Sequence, residues 1–183
     1  MEWESERLVY RYLRQQDLGD FFRIYGDAET HRFNPHGPYP DLDYAQASLT
    51  RRLNGYVEHG FGDWAVAEKA EPARIIGFGG IAVSQFDGRQ TINLGYRFAP
   101  DAWGKGYATE LSRRAVRFGF EDVGVDEIVG VVRENHLASR RVLEKAGLRF
   151  LKKVCDLEGL TPSLMYNLNR QDWTPPALDR DPQ

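Results

Sequence analysis

The stretch Thr91-Ile-Asn-Leu-Gly-Tyr-Arg-Phe-Ala-Pro-Asp-Ala-Trp-Gly-Lys-Gly-Tyr-Ala108 reads as a strand, a glycine turn and the first turn of a helix. Its first eight residues alternate, with Ile92, Leu94, Tyr96 and Phe98 on one face and Thr91, Asn93, Gly95 and Arg97 on the other. That is the two-residue period of a pleated strand. Pro100 cannot extend a ladder because it lacks an N–H. Beyond the glycines the spacing becomes helical, and Ala108, Leu111, Ala115 and Phe118 share one face.

Upstream, Asp63–Glu68 and Ile75–Val83 read as strands, the second rich in glycine and so closely approached by other backbone. Asp87-Gly88 is a turn signal that makes the three strands an antiparallel meander. Further upstream, Arg7–Arg14 reads as a strand. Asp17 is expected to cap a helix carrying Leu18, Phe21, Phe22 and Tyr25. Residues Asn34–Pro40 hold three prolines and Gly37, which predicts a loop. A second helix begins near Asp43, counts Ala47, Leu49, Leu53 and Val57 among its apolar positions, and ends near Gly60.

Downstream, Glu127–Arg133 is a continuous apolar run, as in a strand buried on both faces. Asn135 is expected to cap a short helix with Ala138, Val142, Leu143 and Ala146 inward, stopped by Gly147. A hairpin around Glu158-Gly159 closes the pattern. The order β–α–α–β–β–β–α–β–α–β–β predicts an α+β fold, with helices around one mixed, mainly antiparallel sheet. The helix after Gly106 joins neighbouring strands as a right-handed crossover, which makes one pair parallel.

With 183 residues, the chain fits one domain over residues 1–173, and residues 174–183 read as a flexible tail. A formal net charge of −3 and a pI near 5.8, with no basic block, argue against nucleic acid as the main partner. The acidic start Met1–Glu6 is unlike a signal peptide, and no apolar run reaches membrane-span length. A cytoplasmic protein without a membrane partner is expected. Cys155 is alone and four histidines are dispersed, so neither a disulfide framework nor a metal site is expected. Cys155 falls within an expected strand, as buried packing.

Gly104-Lys-Gly-Tyr-Ala108 leads into a helix N-terminus, where converging N–H groups suit a phosphate or pyrophosphate. A plain strand-to-helix turn would need the same glycines. A Walker A loop fails because Gly106 follows Lys105 where Ser or Thr is required. A dinucleotide fingerprint fails at Thr109, which stands in place of the third glycine, and the antiparallel meander upstream does not supply a mononucleotide-binding half.

Trp103-Gly-Lys-Gly-Tyr-Ala-Thr-Glu110 resembles the acyl-CoA pyrophosphate loop of the GNAT N-acetyltransferase superfamily, in the form usual for its RimJ/RimL-type branch. A second match follows at the family spacing, Glu134-Asn-His-Leu-Ala-Ser-Arg-Arg-Val-Leu-Glu-Lys-Ala-Gly-Leu-Arg-Phe150. By element order the resemblance covers Arg7 to Trp173, and it is specific from Gly95 to Phe150. It implies a GNAT-like fold and an acetyl-CoA-dependent N-acetyltransferase without a metal. Acetyl-CoA would be the co-substrate, and a primary amine would attack its thioester directly.

Carried over residue by residue, Phe98 and Ala99 would meet the pantetheine arm through their backbone. Trp103, Gly104, Lys105, Gly106, Tyr107 and Ala108 would surround the pyrophosphate. Asn135 would contact pantetheine, serve as the helix N-cap, or do both. Ser139 would protonate the departing thiolate or donate to the sulfur, unless it only bonds its own helix backbone. Tyr166 is an outside candidate for the same acid. Many relatives carry Glu where this chain has Asn93, and Asn cannot accept a proton.

A lysine amine, with pKa about 10.4, costs roughly 4.6 kcal/mol to neutralise at pH 7, whereas an α-amine near 7.8 costs about 1 kcal/mol. Loss of the carboxylate therefore favours an α-amine acceptor, such as a peptide or protein N-terminus. Water ordered by Asn93 would still relay a proton. His31, His36 and Tyr39, from the N-terminal helices and the proline-rich loop, are the candidate substrate contacts, and either histidine is a candidate base. Gly77, Gly79 and Gly80 would admit substrate backbone or simply pack strands closely. A different acyl-CoA donor and a non-catalytic acyl-CoA-binding domain are the alternative functions. Exposed strand ends suit a homodimer.

Overall fold

In the computed structural model, which describes residues 2–34, 36–86, 88–155 and 161–175, the alternating stretch becomes the fifth strand of an eight-stranded sheet. The strands are β1 (Glu2–Glu4), β2 (Leu8–Tyr12), β3 (Trp64–Glu68), β4 (Glu71–Phe86), β5 (Arg89–Phe98), β6 (Glu127–Val132), β7 (Arg149–Val154) and β8 (Ser163–Asn169). Their spatial order is β1-β2-β3-β4-β5-β6-β8-β7. Every neighbouring pair is antiparallel except β5 and β6, which are parallel as expected. The helices are α1 (Leu18–Tyr25), α2 (Leu42–His59), α3 (Tyr107–Phe118) and α4 (Leu137–Lys145).

Alternation within the strands sorts the core into two layers. Trp64 and Val66 of β3 join Leu94 and Phe98 of β5 beneath Leu111 and Ala115 of α3 and Leu143 of α4. Ala65 and Ala67, one residue out of phase, join Phe78 of β4 beneath Phe21 and Ile24 of α1 and Ala45 and Leu49 of α2. Helices therefore cover both faces, α1 and α2 on one and α3 and α4 on the other. Among the described residues, no helix is long and apolar enough to cross a membrane.

Several local expectations are corrected. β1 is an added strand whose Trp3 packs on Trp64 and Phe118, centroids 5.4 and 5.3 Å apart. Asp17 does not cap α1: its carboxylate is held by Arg11 at 2.7 Å and by the Arg14 N–H at 2.8 Å. The cap of α2 is Asp41, which accepts from Tyr44 N, and the helix stops at Gly60 with φ 80°. Its buried face is Ala45, Ser48 and Leu49, while Ala47 faces solvent and Val57 is 90% exposed. In α4, Leu143 and Ala146 are buried but Ala138 is exposed. Cys155 lies just past the end of edge strand β7 and is exposed, because no neighbouring strand covers it. The Glu158-Gly159 turn and residues 176–183 of the expected tail lie outside the described residues.

The meander is tight where glycine was expected to permit it. β4 and β5 stay paired from Gly77↔Phe98 to Phe86↔Arg89. A Cβ at Gly77 would stand 2.5 Å from the Phe98 ring and one at Gly79 would stand 2.6 Å from the Gly95 carbonyl and from Tyr96 Cβ, so strand packing explains these two glycines. By contrast, β5 and β6 meet in register only at Asn93↔Val129. Beyond that point the two strands part. Gly79→Ala should lower stability by about 1–3 kcal/mol through overpacking. That is about 2–12 °C in Tm for a chain of this size, which thermal denaturation would read.

Candidate active site

The parting of β5 and β6 opens a cavity of about 920 Å³. Asn93–Phe98 form one wall, and Val131, Val132 and the entry to α4 form the other. The glycine turn lies at one end, and Thr30, Phe33 and His36 border it on the α1 side.

In the glycine turn, Gly104 and Gly106 adopt φ 75° and 83°, the left-handed region that only glycine occupies cheaply. Thr109 N and Glu110 N both bond the Gly106 carbonyl at 3.1 Å. The N–H groups of Gly104, Lys105, Gly106, Tyr107 and Ala108 have no acceptor among the described residues. Five adjacent free donors at a helix N-terminus fit an anion such as a pyrophosphate.

The turn is anchored from a distance. Arg7 donates to the Lys105 carbonyl at 2.8 Å and pairs with Glu110 at 2.8 Å, and Ser5 donates to the same carboxylate at 2.6 Å. Burial would raise the Glu110 carboxyl, but the bonds from Ser5 and Arg7 outweigh it and hold the group below its ordinary value. The Trp103 indole donates to the Phe98 carbonyl at 2.9 Å, stapling the turn to the end of β5.

Of the candidates read from sequence, Asn93, Phe98, Trp103, Gly104, Gly106, Tyr107, Ala108, Asn135, Ser139 and His36 all border this cavity. Lys105 and Ala99 do not. The Lys105 ammonium lies 3.5 Å from Glu68, and the Ala99 N–H already bonds the Ile76 carbonyl at 2.9 Å. His31 and Tyr39 are packed away from the cavity. His31 is 4% exposed between the Tyr25 and Tyr39 rings, its Nδ1 3.0 Å from Asn34. Tyr39 bonds Ser48 at 2.9 Å. Burial, reinforced by Arg97, pushes the His31 pKa down to about 4. Tyr166 is also buried away from the cavity, its hydroxyl accepting from Arg140 at 3.1 Å.

The α4 entry differs from expectation. His136, not Asn135, stands at the N-cap, and no side chain caps the helix. The Asn135 side chain is exposed and makes no hydrogen bond among the described residues, leaving it free toward the cavity. Ser139 turns from its own helix backbone to His136 Nε2 at 3.2 Å. The His136 ring stacks on Phe33, centroids 4.0 Å apart and planes at 15°, linking the two sides of the cavity. Burial and then Arg97 hold the His136 pKa below its usual value, so the ring is neutral near pH 7.

Two further groups lie at the divergence. Asn93 Oδ1 is buried without a partner, and so is the Tyr96 hydroxyl. Burial pushes the Tyr96 pKa up to about 12. Ser139 works the other way on that hydroxyl, although the two do not have hydrogen-bond geometry. His136 and Tyr96 were not assigned roles from sequence. Tyr96 sits on the apolar face of its strand, and His136 gains its place only through the distant Phe33. Among the described residues, no group of His, Cys, Asp and Glu side chains could hold a metal.

The family described as "Acetyltransferase (GNAT) domain" matches residues 7–149. YkkB of Bacillus subtilis, itself uncharacterized, is 31% identical over 82% of this chain and 86% of its own. An Aspergillus fumigatus FsC-acetyl coenzyme A-N(2)-transacetylase is 32% identical over 43% of this chain. That match spans only 36% of the fungal enzyme. A GNAT-family acetyltransferase structure from Bacillus anthracis superimposes with a TM-score of 0.77 at 20% identity, covering 93% of this chain and 99% of that one. Ribosomal-protein-S5-alanine acetyltransferase from Vibrio fischeri gives 0.72 at 16% identity, with 96% and 100% covered. Aminoglycoside acetyltransferase AAC(6')-Ib in complex with coenzyme A also gives 0.72, at 19% identity, with 90% and 96% covered.

Two outcomes follow from this geometry. Saturation with acetyl-CoA at 1,000 times its Kd should add about 4.1 kcal/mol, roughly 8–16 °C in Tm. Gly106→Glu, which sets a carboxylate among the free donors, should abolish that shift. The second concerns His31, whose pKa is lower folded than unfolded, so the unfolded chain takes up the proton first as pH falls. Tm should drop as pH is lowered from about 6.5 toward 4, and His31→Phe should flatten that part of the profile.

Proposed function

Because the chain belongs to the GNAT acetyltransferase family, and is thus an acyltransferase, we propose that it moves an acetyl group from acetyl-CoA to an α-amine. The observation that carries the donor half is the run of five unpartnered N–H groups from Gly104 to Ala108, a turn that, Lys105 excepted, borders the cleft between β5 and β6. Bound there, acetyl-CoA would supply an activated thioester carbonyl for direct attack by the amine.

Each residue then has a physical task. Gly104–Ala108 hold the pyrophosphate, with the α3 N-terminus adding its partial positive charge. Phe98 and Asn135 face the pantetheine arm from opposite walls. Asn93 Oδ1, buried and unpaired, accepts an N–H of the attacking amine and aims its lone pair. Ser139 donates toward the departing sulfur, with His136 Nε2 behind it to fix its rotamer and supply a proton path. The Tyr96 hydroxyl, with its pKa near 12, is a protonated donor at any working pH and shares this role. A cytoplasmic location, with acetyl-CoA at hand, suits the reaction.

The α-amine is favoured by what stands at residue 93. A neutral amide does not lower the cost of deprotonating a lysine ammonium, whereas an α-amine near pKa 7.8 is already partly neutral at pH 7. The Trp-Gly-Lys-Gly-Tyr-Ala loop and the Vibrio fischeri neighbour support a place in the RimJ/RimL-type branch and an N-terminal acceptor.

Mass analysis of products from a panel of tripeptides, lysine-blocked peptides and polyamines tests this reading. Acetylation at α-amines is expected, and a clear preference for lysine side chains or polyamines would contradict it. Succinyl-CoA in competition would reveal a different donor. For an α-amine acceptor, kcat/KM should rise with pH through a midpoint of about 7.8 and level off by about pH 9, with no fall before pH 10 because Tyr96 stays protonated. Ser139→Ala should lower kcat by about 100-fold, at the lower end of general-acid contributions, with KM for acetyl-CoA little changed.

A further inference from the structure

The acceptor wall of the cavity holds a cation without an anion. Arg97 borders the cavity from the Asn93–Gly95–Arg97 face of β5. A guanidinium has five N–H donors. One Arg97 Nη donates to the Thr30 carbonyl, the Tyr25 ring lies 5.2 Å from Cζ, and Nε is buried with no partner. Among the described residues, no carboxylate lies within ion-pairing distance of it. The other arginines packed into this protein differ: Arg11 pairs with Asp17, Arg52 with Asp63 and Arg114 with Asp122. Taking a guanidinium out of water without a counter-charge is costly. Burial accordingly holds its pKa below the ordinary arginine value.

The remaining charges on the cavity wall do not supply the missing anion. Glu29 is the acid among them, and it is committed to Arg32 at 2.7 Å. Nor is the phosphate-bearing part of acetyl-CoA suited to it. The glycine turn leads into α3, which packs on the Leu94–Phe98 face, whereas Arg97 lies on the opposite face with Thr30 and Tyr25.

We infer that Arg97 receives a carboxylate of the acceptor, so that the amine acetylated here belongs to an acidic peptide N-terminus or an acidic amino acid. This rests on the acetyl-transfer reading for the amine and adds the group that selects it. Asn93 and Arg97 lie on one face of β5, with Cα atoms about 13 Å apart along the strand. An anion held by Arg97 is therefore several bonds from an amine held at Asn93. That span suits a side-chain carboxylate on the first or second residue better than the α-carboxylate of a free amino acid. A bidentate fork-to-carboxylate contact would satisfy Nε and one Nη together.

The test measures binding and turnover separately, with the full chain saturated in CoA for binding and acetyl-CoA for turnover. Calorimetry would compare Asp-Ala-Ala-amide with Asn-Ala-Ala-amide, the corresponding Glu and Gln pair, and free glutamate with glutamine. At least about a tenfold preference for the acidic member, one decade in Kd, is expected. It should be largest in the peptide pairs, lost in Arg97→Gln and partly kept in Arg97→Lys. In turnover the loss should fall on KM for the acidic peptide, with kcat and the amide peptide little changed and the CoA-induced Tm shift intact. No acid preference in the wild-type protein, or a preference that survives Arg97→Gln, would overturn the assignment. A preference in the free amino acid pair alone would overturn the peptide placement. Tight acidic binding without acetylated product would leave the Arg97 site standing and overturn the acetyl-transfer reading instead. Should Arg97→Gln fail to fold, the wild-type pairs and Arg97→Lys decide.

Discussion

The candidate site in this molecule depends on two parallel strands that pair at one register position and separate. A continuous sheet satisfies its own N–H and C=O groups and leaves nothing for a ligand. Here β5 and β6 meet at Asn93↔Val129 and then part, which puts unpaired strand edges inside the sheet rather than at its rim. The core layer beneath α3 and α4 keeps the wedge open. Leu94 and Phe98 are fixed under α3, while Val132 is fixed with Leu143 of α4. Neither strand can swing to meet the other without undoing a buried layer. The cleft is therefore a property of the packed sheet, and the glycine turn needs only to be delivered to its mouth.

The fold was legible because its deciding elements are local. The alternation over residues 91–98, the turn glycines and the helical spacing from Ala108 each state their conformation within a few residues. The parallel β5–β6 pair followed from the helix between the two strands. What escaped were features set by partners far along the chain. Asp17 has the composition of a cap, but Arg11 claims its carboxylate. Asp43 was a fair starting point for α2, yet Asp41 is the residue whose side chain reaches a free N–H. β1 was invisible because Glu2-Trp-Glu4 has no pattern of its own until Trp3 finds Trp64 and Phe118.

The site shows the same division. The run of free N–H groups was readable, since backbone donors in a glycine turn are announced by the glycines. The acceptor side was not. His31 and Tyr39 had the right chemistry in a loop, but aromatic packing around Tyr25 drew them inward. His136 stood in plain view within the second motif and became meaningful only when Phe33, about a hundred residues earlier in the chain, was found stacked on it. In sequence Arg97 is only a member of the Thr91–Asn93–Gly95 face of an alternating strand, and its lack of a nearby carboxylate among the described residues is a tertiary feature that alternation does not report.

The anchor of the glycine turn has a consequence for how the protein is made. Ser5 and Arg7 reach forward to Glu110 and the Lys105 carbonyl, so this segment is a structural part of a turn made about a hundred residues later. During translation at roughly 5–20 residues per second, that N-terminal segment waits several seconds without its partner. The antiparallel meander of β3, β4 and β5 has already left the ribosome by then and offers β2 a place to dock beside β3. The nascent chain thus has strands β1 to β5 before its glycine turn, and β6, β7 and β8 only after it. An extension fused ahead of Ser5 would bear on the turn by lying across the segment that finishes it.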